Sequence, residues 1–376
     1  MIYFDNAATT KPSEEVVKKI NEAFELYGNP SSSHEIGKQA KDLVEEARSH
    51  VAKLLMCKPE NIIFTSGGTE SNNWAIYSQL AQSERKVVIT SPIEHHAILE
   101  TLQNFKKTFG VKYEYVPINK YGNVNLDFLE KQIETYKPSL VSIMYANNEI
   151  GTIQPIYEIV QICKKYNIAF HTDAVQAVGK IYVDAVNSGV DMLSLSAHKF
   201  HGPKGIGALY VRDGFDLFPF MSGGHQENSL RAGTHNVPGI AGLGEAARLI
   251  NPDNFITVKR LEMLLWEKIE SMNLGAKRNG SQIEETVPGI LNITFPETES
   301  KMLVNELNKY GICCSSGSAC NEGQTVASHV LSEIGLSTLD AHSTIRISLS
   351  KYSDYREVEE LIRRLPLAVK KAKVSL

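Results

Sequence analysis

The chain has 376 residues, of which 42% are hydrophobic and 22% are charged, and its formal net charge is −4 at pH 7. This composition is typical of a globular protein and argues against disorder, collagen and coiled coil, while the charge argues against a large nucleic-acid-binding face. No apolar run approaches the roughly 20 residues of a membrane span, and the start lacks a signal-peptide pattern. We therefore expect about two domains and no direct binding to membranes or nucleic acid.

Short apolar runs alternate with helical patterns over the first two thirds of the chain. Strands are predicted at 61–65, 86–90, 112–116, 140–145, 168–172, 192–196 and 205–211, with helices from about 97 and over 156–166. Strands that alternate with helices indicate an α/β fold with a mainly parallel sheet flanked by helices.

The pattern changes after about residue 251. Helices are predicted at 255–272, around 300–310 and, in a basic segment, at 358–373, with strands at 290–295 and 344–349. This alternation is typical of a smaller α+β domain. We predict a large domain over 15–255 and a small domain that combines 1–14 with 256–376.

Ligands of parallel sheets bind at the carboxyl ends of the strands. Two motifs at such ends contain residues that could bind a ligand or take part in catalysis. Ser66-Gly67-Gly68-Thr69-Glu70-Ser71 lies between a strand and a helix, so its glycines and free N–H groups could cradle a phosphate. The alternative is a tight turn in which Thr69 or Ser71 caps the helix. Glu94-His95-His96 could supply an imidazole that stacks on a ring or moves protons, or it could simply be a polar helix start.

Two further strand ends carry a carboxylate and an amine. Asp173 follows an apolar run, so its carboxylate needs a cation such as a pyridinium N–H, although it could equally be a helix N-cap. Lys199 and Lys204 follow the strand at 192–196, where burial would turn either amine into a nucleophile that traps a carbonyl; a solvated loop lysine is the alternative for each. An anion cradle, an imidazole, a carboxylate and an amine together match pyridoxal 5'-phosphate.

The sequence resembles the cysteine desulfurases, which are fold-type-I pyridoxal phosphate enzymes that release sulfur from L-cysteine. The resemblance covers essentially the whole chain and includes the following motifs: Tyr3 to Thr10, Ser66 to Asn72, Glu94-His95, Asn147 to Gly151, Asp173 to Gln176, Ser196 to Lys199, Arg231 to Thr234, Ser316 to Cys320 and Ser343 to Arg346. It implies a fold-type-I transferase of the long-loop branch, in which the large domain binds the cofactor and the small domain carries the catalytic cysteine.

The resemblance also implies roles for individual residues. It selects Lys199 over Lys204 as the Schiff-base lysine, gives His95 ring stacking and proton transfer, and pairs Asp173 with the ring nitrogen. The substrate carboxylate is assigned to Arg346, whose guanidinium can bind it bidentately. The phosphate is assigned to Gly68, Thr69, Ser196 and His198, together with Thr234 from the other subunit of a homodimer. The phenolic oxygen of the cofactor is assigned to Asn148 and Gln176, and Asn148 also faces the substrate. Motif alignment alone favours Asn148 over Asn147.

The resemblance makes Cys320 the nucleophile, whose thiolate takes sulfur from L-cysteine as a persulfide while L-alanine leaves. The persulfide would serve a sulfur acceptor or scaffold protein in iron–sulfur cluster assembly or tRNA thiolation. Cys313 and Cys314 lie just upstream and either pack in a core or act as relay thiols.

Three other functions stay open at this point: a selenocysteine lyase, another aminotransferase-like enzyme and a cofactor-binding scaffold without activity. The five cysteines are too few and too irregular for a disulfide framework and form no C-x-x-C zinc pair, so no metal site is expected. Free thiols indicate a reducing cytoplasm.

Overall fold

The computed structural model describes residues 1–316 and 327–373. The α-helices are α1 Glu14–Glu25, α2 Glu35–Leu54, α3 Gly68–Gln82, α4 His96–Phe109, α5 Leu126–Tyr136, α6 Ile156–Lys165, α7 Ala185–Ser188, α8 Val237–Arg248, α9 Asp253–Ser271, α10 Ser300–Asn308, α11 His329–Glu333, α12 Thr338–His342 and α13 Tyr355–Ala372. The strands are β1 Ile2–Tyr3, β2 Ile62–Thr65, β3 Val87–Thr90, β4 Lys112–Tyr115, β5 Leu140–Ser142, β6 Ala169–Asp173, β7 Met192–Ser196, β8 Gly207–Val211, β9 Lys277–Arg278, β10 Ile290–Thr294, β11 Ile312–Cys313, β12 Ser315–Ser316 and β13 Thr344–Ser348.

A seven-stranded sheet in the order β2-β8-β7-β6-β5-β3-β4 forms the centre of the larger part of the fold. Strands β7, β6, β5, β3 and β4 are parallel to one another, whereas β8 runs antiparallel to both β7 and β2. The residues of β5 and β7 are buried throughout, including their serines, as expected for strands of a sheet that is covered on both faces. The predicted α/β class with a mainly parallel sheet is confirmed.

A second, antiparallel sheet in the order β12-β13-β10-β9 belongs to a separate hydrophobic core. Helix α13 covers this core with an apolar stripe that includes Leu361 and Leu365, and it begins with a capping box between Asp354 and Glu357. Phe4 packs into the same core, and β1 pairs with β11. The N-terminal residues therefore join the C-terminal part of the chain, while the domain boundaries at 14/15 and 255/256 stay a prediction.

The predicted strands are all present, with ends that shift by up to three residues. Helices α1, α2, α5, α7, α8, α11 and α12 were not predicted, although Ser13 caps α1 and Asn236 caps α8 with its side chain. In the part of the chain that the structure describes, no helix is long and apolar enough to cross a bilayer. The loops that follow β2, β3, β5, β6 and β7 all lie at the same edge of the large sheet, where the carboxyl ends of these strands meet.

Candidate active site

A cavity of about 290 Å³ lies where these strands end. This is close to the lower end of the size range of small-molecule sites, which favour the carboxyl edge of a parallel sheet. Ten of the residues predicted from the sequence line it: Gly68, Thr69, His95, Asn148, Asp173, Gln176, Ser196, His198, Lys199 and Arg346.

The start of helix α3 forms one wall of the cavity. Gly67 precedes the helix with φ +154° and supplies no side-chain cap, so the alternative of a helix capped by Thr69 or Ser71 is wrong. The Ser71 hydroxyl is instead hydrogen-bonded to Thr65 Oγ1 at 2.8 Å. A side chain at Gly68 would meet Val175 Cγ2 at 2.6 Å, so the backbone packs closely here. The first N–H groups of the helix are left for an anion in the cavity.

An ion pair braces the same helix start from outside. Arg231 donates from Nε and Nη2 to the two carboxylate oxygens of Glu70, at 2.8 and 3.1 Å, and the Ser66 N–H donates to Glu70 as well. Burial alone would raise the pKa of Glu70, but the hydrogen bonds from Arg231 and Ser66 outweigh it and lower that pKa. The carboxylate is therefore ionised at neutral pH and ties the segment at Arg231 to the cradle.

His95 stands at the N-cap of helix α4. Its Nδ1 accepts the Ala97 N–H at 3.0 Å, so in the neutral ring the proton is on Nε2. Burial, and to a smaller extent the charge of Lys199, lowers the pKa of His95 despite the opposing effect of Asp173. The cavity is therefore faced by a neutral imidazole that can donate from Nε2.

Asp173 ends strand β6 and is 5% exposed. Its Oδ1 accepts the Val175 N–H at 3.0 Å within a turn, and no helix follows, so the helix N-cap alternative is wrong. Its Oδ2 accepts a 2.6 Å hydrogen bond from Asn72 Nδ2. Asn72 lines the cavity and is a site residue that the sequence analysis missed, although it belongs to the Ser66–Asn72 motif. Each oxygen of Asp173 keeps acceptor capacity for a ring N–H.

Lys199 lies in the short 3₁₀ turn after β7 and reaches the N-terminal segment of the chain. Its Nζ donates to the carbonyl oxygens of Ala7 and Ala8, both at 2.8 Å. Gln176 Nε2 donates to the same Ala7 oxygen, also at 2.8 Å. Lys204 is exposed and does not line the cavity. The structure therefore places Lys199 in the cavity and leaves Lys204 at the surface.

His198 lies beside Lys199 and contacts the N-terminal segment too. Its Nδ1 is 3.2 Å from Thr9 Oγ1, and its carbonyl oxygen accepts a 2.9 Å hydrogen bond from Thr10 Oγ1. Burial, followed by the positive charge of Lys199, lowers the pKa of His198 to about 4. A neutral imidazole can donate one N–H to an anion without adding charge to the site.

Arg346 projects from β13 of the second sheet and is 4% exposed. Its Nη2 pairs with Asp5 Oδ1 at 2.9 Å, and its Nη1 donates to the Asn148 carbonyl oxygen at 3.0 Å. Asn148 lines the cavity, whereas the Asn147 side chain is buried and holds the backbone N–H groups of Glu149 and Ile150. Asp5 is a second residue that the sequence analysis missed, within the Tyr3–Thr10 motif.

The remaining predictions concern Thr234 and three cysteines. Thr234 is exposed and is not among its lining residues, which leaves a role in a partner subunit as a prediction. Cys320 lies outside the described residues. Cys314 is buried, and burial raises its pKa to about 12, so packing is its role here; Cys313 is half-buried in β11.

Comparisons with known proteins agree with this geometry. The sequence model of the family Aminotransferase class-V matches residues 2–361. A protein named cysteine desulfurase from Nostoc sp. is 44% identical over 380 residues, covering 99% of this chain and 93% of that protein. Cysteine desulfurase IscS from Dictyoglomus turgidum is 41% identical over 376 residues, covering 98% and 95%. A solved structure titled NifS-like protein superposes with a TM-score of 0.90 at 39% identity, covering 98% of this chain and 99% of that one.

Proposed function

This chain belongs to the class-V aminotransferase family and, within it, to the cysteine desulfurases, and on that basis we propose that it converts L-cysteine to L-alanine and retains the sulfur as a persulfide on Cys320. The observation that carries the proposal is that one cavity is lined by the amine of Lys199, the carboxylate of Asp173, the imidazole of His95 and the guanidinium of Arg346. These are the groups needed to bind a pyridine cofactor and an amino acid together.

The residues around the cavity fit pyridoxal 5'-phosphate. The uncapped start of helix α3, with Ser196 and His198 opposite it, is suited to the phosphate, and Asp173 offers a carboxylate to the ring nitrogen. Asn72 Oδ1 and Arg346 Nε are buried in the wall and have no hydrogen-bond partner in the described ranges, which is typical of groups that await a ligand. When bound, the cofactor supplies an electron sink for the carbanion of an amino acid substrate.

The protein's own groups orient the substrate and move its protons. Arg346 offers a guanidinium, already aligned by Asp5 and the Asn148 carbonyl oxygen, to the substrate carboxylate. Lys199 holds the amine at the end of β7, and His95 presents its Nε2–H to the same space. We propose that His95 transfers the protons that accompany cleavage of the carbon–sulfur bond.

The sulfur step needs a thiolate, and we propose Cys320 for it. Its sulfur forms a bond to the sulfur of bound cysteine while the carbon–sulfur bond breaks, so the electron pair stays on the substrate carbon, which takes a proton and leaves as L-alanine. Two described residues that follow this cysteine in the chain bond to sequence neighbours of the cavity-lining residues Asn148 and His95. Ser328 Oγ donates to Glu149 Oε2 at 2.6 Å, and His329 Nε2 lies 3.0 Å from the carbonyl oxygen of Glu94, next to His95.

We propose further that two copies of the chain share each site through Thr234. The support is the family resemblance and the exposure of Thr234 on a segment that Arg231 fixes to Glu70. A mixture of Lys199→Ala and Thr234→Ala subunits should then regain activity, because a hybrid dimer contains one site in which both residues are intact. If Thr234 acts within its own subunit, no hybrid site is complete and the mixture stays inactive.

The physiological partner is proposed to be a sulfur-acceptor or scaffold protein, in iron–sulfur cluster assembly or tRNA thiolation, and the compartment to be the cytoplasm. The support for the compartment is that Cys57, Cys163, Cys313 and Cys314 are free thiols in the structure.

The test is to incubate the purified holoprotein with L-cysteine and to locate the added sulfur atom by peptide mass spectrometry without reductant. We expect the extra sulfur on the peptide that contains Cys320. Cys320→Ser should keep the colour of the bound cofactor and lose sulfide release, whereas Cys313→Ser, the matched control, should keep both. Full turnover of L-cysteine by Cys320→Ser would contradict the proposal, and turnover of selenocysteine alone would indicate a selenocysteine lyase.

A further inference from the structure

Lys180 is a half-buried lysine close to the cavity that has no part in the function proposed above. It lies in the turn after β6, next to Gly179, and its Nζ donates a short hydrogen bond to Gln176 Oε1. It also lines a second, smaller cavity, which shares Lys199 with the active site and is lined by Lys351 as well. Lys180 is thus bonded to Gln176, a residue of the active-site cavity, while its own side chain borders the second cavity.

The contacts of Gln176 determine which end of its amide faces which way. The carbonyl oxygen of Ala7 can only accept a hydrogen bond, so the amide end next to Ala7 must be the nitrogen and the end next to Lys180 must be the oxygen. The amide nitrogen donates to the carbonyl oxygen of Ala7 at 2.8 Å, and this oxygen also accepts Lys199 Nζ at 2.8 Å. Sharing one acceptor puts the Gln176 NH₂ group next to the Lys199 amine. One of its two hydrogens is used by Ala7, and the other is left for a ligand.

In pyridoxal 5'-phosphate the phenolic oxygen is attached to the ring carbon next to the one that bears the aldehyde. An aldehyde joined to Lys199 therefore brings that oxygen close to the lysine nitrogen, which is where the free Gln176 N–H lies. We propose that Lys180 is a positioning residue that holds the Gln176 amide with its nitrogen toward Lys199, so that Gln176 donates a hydrogen bond to the phenolic oxygen. This inference rests on the proposed function, because it needs the cofactor to be bound.

The electrostatic surroundings support a specific use for this amine. Burial, followed by the like charges of Lys199 and Arg346, lowers the pKa of Lys180 well below its usual range. A buried amine among cations costs stability, and a hydrophobic side chain would not carry that cost. The titratable and charged groups that act on Lys180, or on which it acts, are Lys199, His198 and His201 from the segment after β7 and Arg346 from β13.

The expected signature is a change in the pH titration of the visible absorbance of the bound cofactor. A donor aimed at the phenolic oxygen stabilises its anionic form, so losing that donor raises the pH midpoint. One hydrogen bond of ordinary strength predicts a rise of about 0.5–1 pH unit for Lys180→Met. Gln176→Ala should raise the midpoint by a similar amount. The double variant should equal Gln176→Ala alone, because Lys180 acts through Gln176.

Lys351→Met is the matched control: it removes a lysine from the same second cavity without touching Gln176, and its midpoint should stay at the wild-type value. Lys180→Gln gives the same rise if Lys180→Met does not fold, since it too removes the ammonium group. An unchanged midpoint in the Lys180 variant, or an equal rise when Gln176 is already alanine, overturns the inference. A wild-type protein that shows no visible band after addition of pyridoxal 5'-phosphate refutes the proposed function instead.

Discussion

Asp5 Oδ1 lies 2.9 Å from Arg346 Nη2, so the guanidinium proposed to bind substrate is already neutralised by a residue near the start of the chain. Arg346 is 4% exposed, and its Nη1 is held separately by the Asn148 carbonyl oxygen. The carboxylate of Asp5 therefore compensates the positive charge of this guanidinium, while the carbonyl oxygen of Asn148 contributes to its orientation.

Asp5→Asn should destabilise the free protein and strengthen the binding of an amino acid carboxylate. The substitution keeps the shape but leaves a buried cation uncompensated, which costs about 3–5 kcal/mol when a buried pair is broken. A ligand carboxylate restores the balance. Thermal unfolding with and without L-alanine measures this effect, and we expect a larger rise in Tm for Asp5→Asn than for wild type. Equal rises in Tm for the two proteins would mean that Asp5 does not compensate the positive charge of Arg346.

Asn72→Ala should weaken cofactor binding by about tenfold or more, because it removes a 2.6 Å hydrogen bond to the carboxylate of Asp173, a kind of bond worth roughly 1.5–3 kcal/mol. Titration of the apoprotein with pyridoxal 5'-phosphate, followed by visible absorbance, gives the affinity. Asn73→Ala is the matched control, since the Asn73 side chain bonds the Thr69 and Ala97 carbonyl oxygens and not Asp173. The same loss in both variants would argue for a general disturbance of helix α3.

The pH profile of kcat/KM for L-cysteine should fall on the acid side below pH 6.5. Burial lowers the pKa of His95, and protonation would also cost the hydrogen bond that Nδ1 accepts from Ala97. The neutral ring is thus kept down to a pH below its ordinary pKa of 6.5, and activity is lost only as the pH falls further. His95→Gln should lower kcat and remove this limb of the profile. A limb that persists in the variant belongs to another group.

The ionised carboxylate of Glu227 should make the free energy of unfolding depend on pH in the acidic range. Burial opposes its ionisation, but hydrogen bonds from Arg48 and His235 outweigh burial and lower the pKa of Glu227 to about 2. Because the unfolded value is higher, near 4.5, the stabilisation is complete above that pH and is lost as the pH falls toward 2. Linkage gives a loss of about 2 kcal/mol between pH 6 and pH 3.

Urea unfolding at several pH values checks this prediction for Glu227. Glu227→Gln should be less stable at pH 7 and should show a flatter decline toward low pH than wild type. Glu245→Gln is the control, because its partner Arg248 is half exposed and solvent screens the pair. The decline of wild type should therefore persist in that variant, and a decline that also persists in Glu227→Gln would contradict the assignment.

The local sequence pattern predicted those strands of the fold that are buried along their whole length. The limits of β7 agree with the prediction residue for residue, because all five of its side chains are buried. The reversed direction of β8 could not be predicted, since an apolar run looks the same in a parallel and an antiparallel strand. The two-residue strands β1 and β11 carry no periodicity, and their pairing depends on contacts more than 300 residues apart.

The candidate site was predictable where a residue type carries chemistry by itself. Lys199, Asp173 and His95 were candidates because they follow strands, the family resemblance selected Lys199 over Lys204, and the cavity brings the three together. Asn72, Asp5 and Lys180 act through another side chain, and their roles become visible only when Asp173, Arg346 and Gln176 are placed beside them. Sequence order contains no such information.

The pairing of Asp5 with Arg346 joins positions 341 residues apart. During translation the turn that carries Lys199 leaves the ribosome long before Arg346 has been made. The nascent chain thus contains Lys199 early, but Arg346, the group proposed to bind the substrate carboxylate, is added only when almost the whole chain has been synthesised. Selective handling of L-cysteine is consequently a property that the protein acquires only after its last strand has emerged.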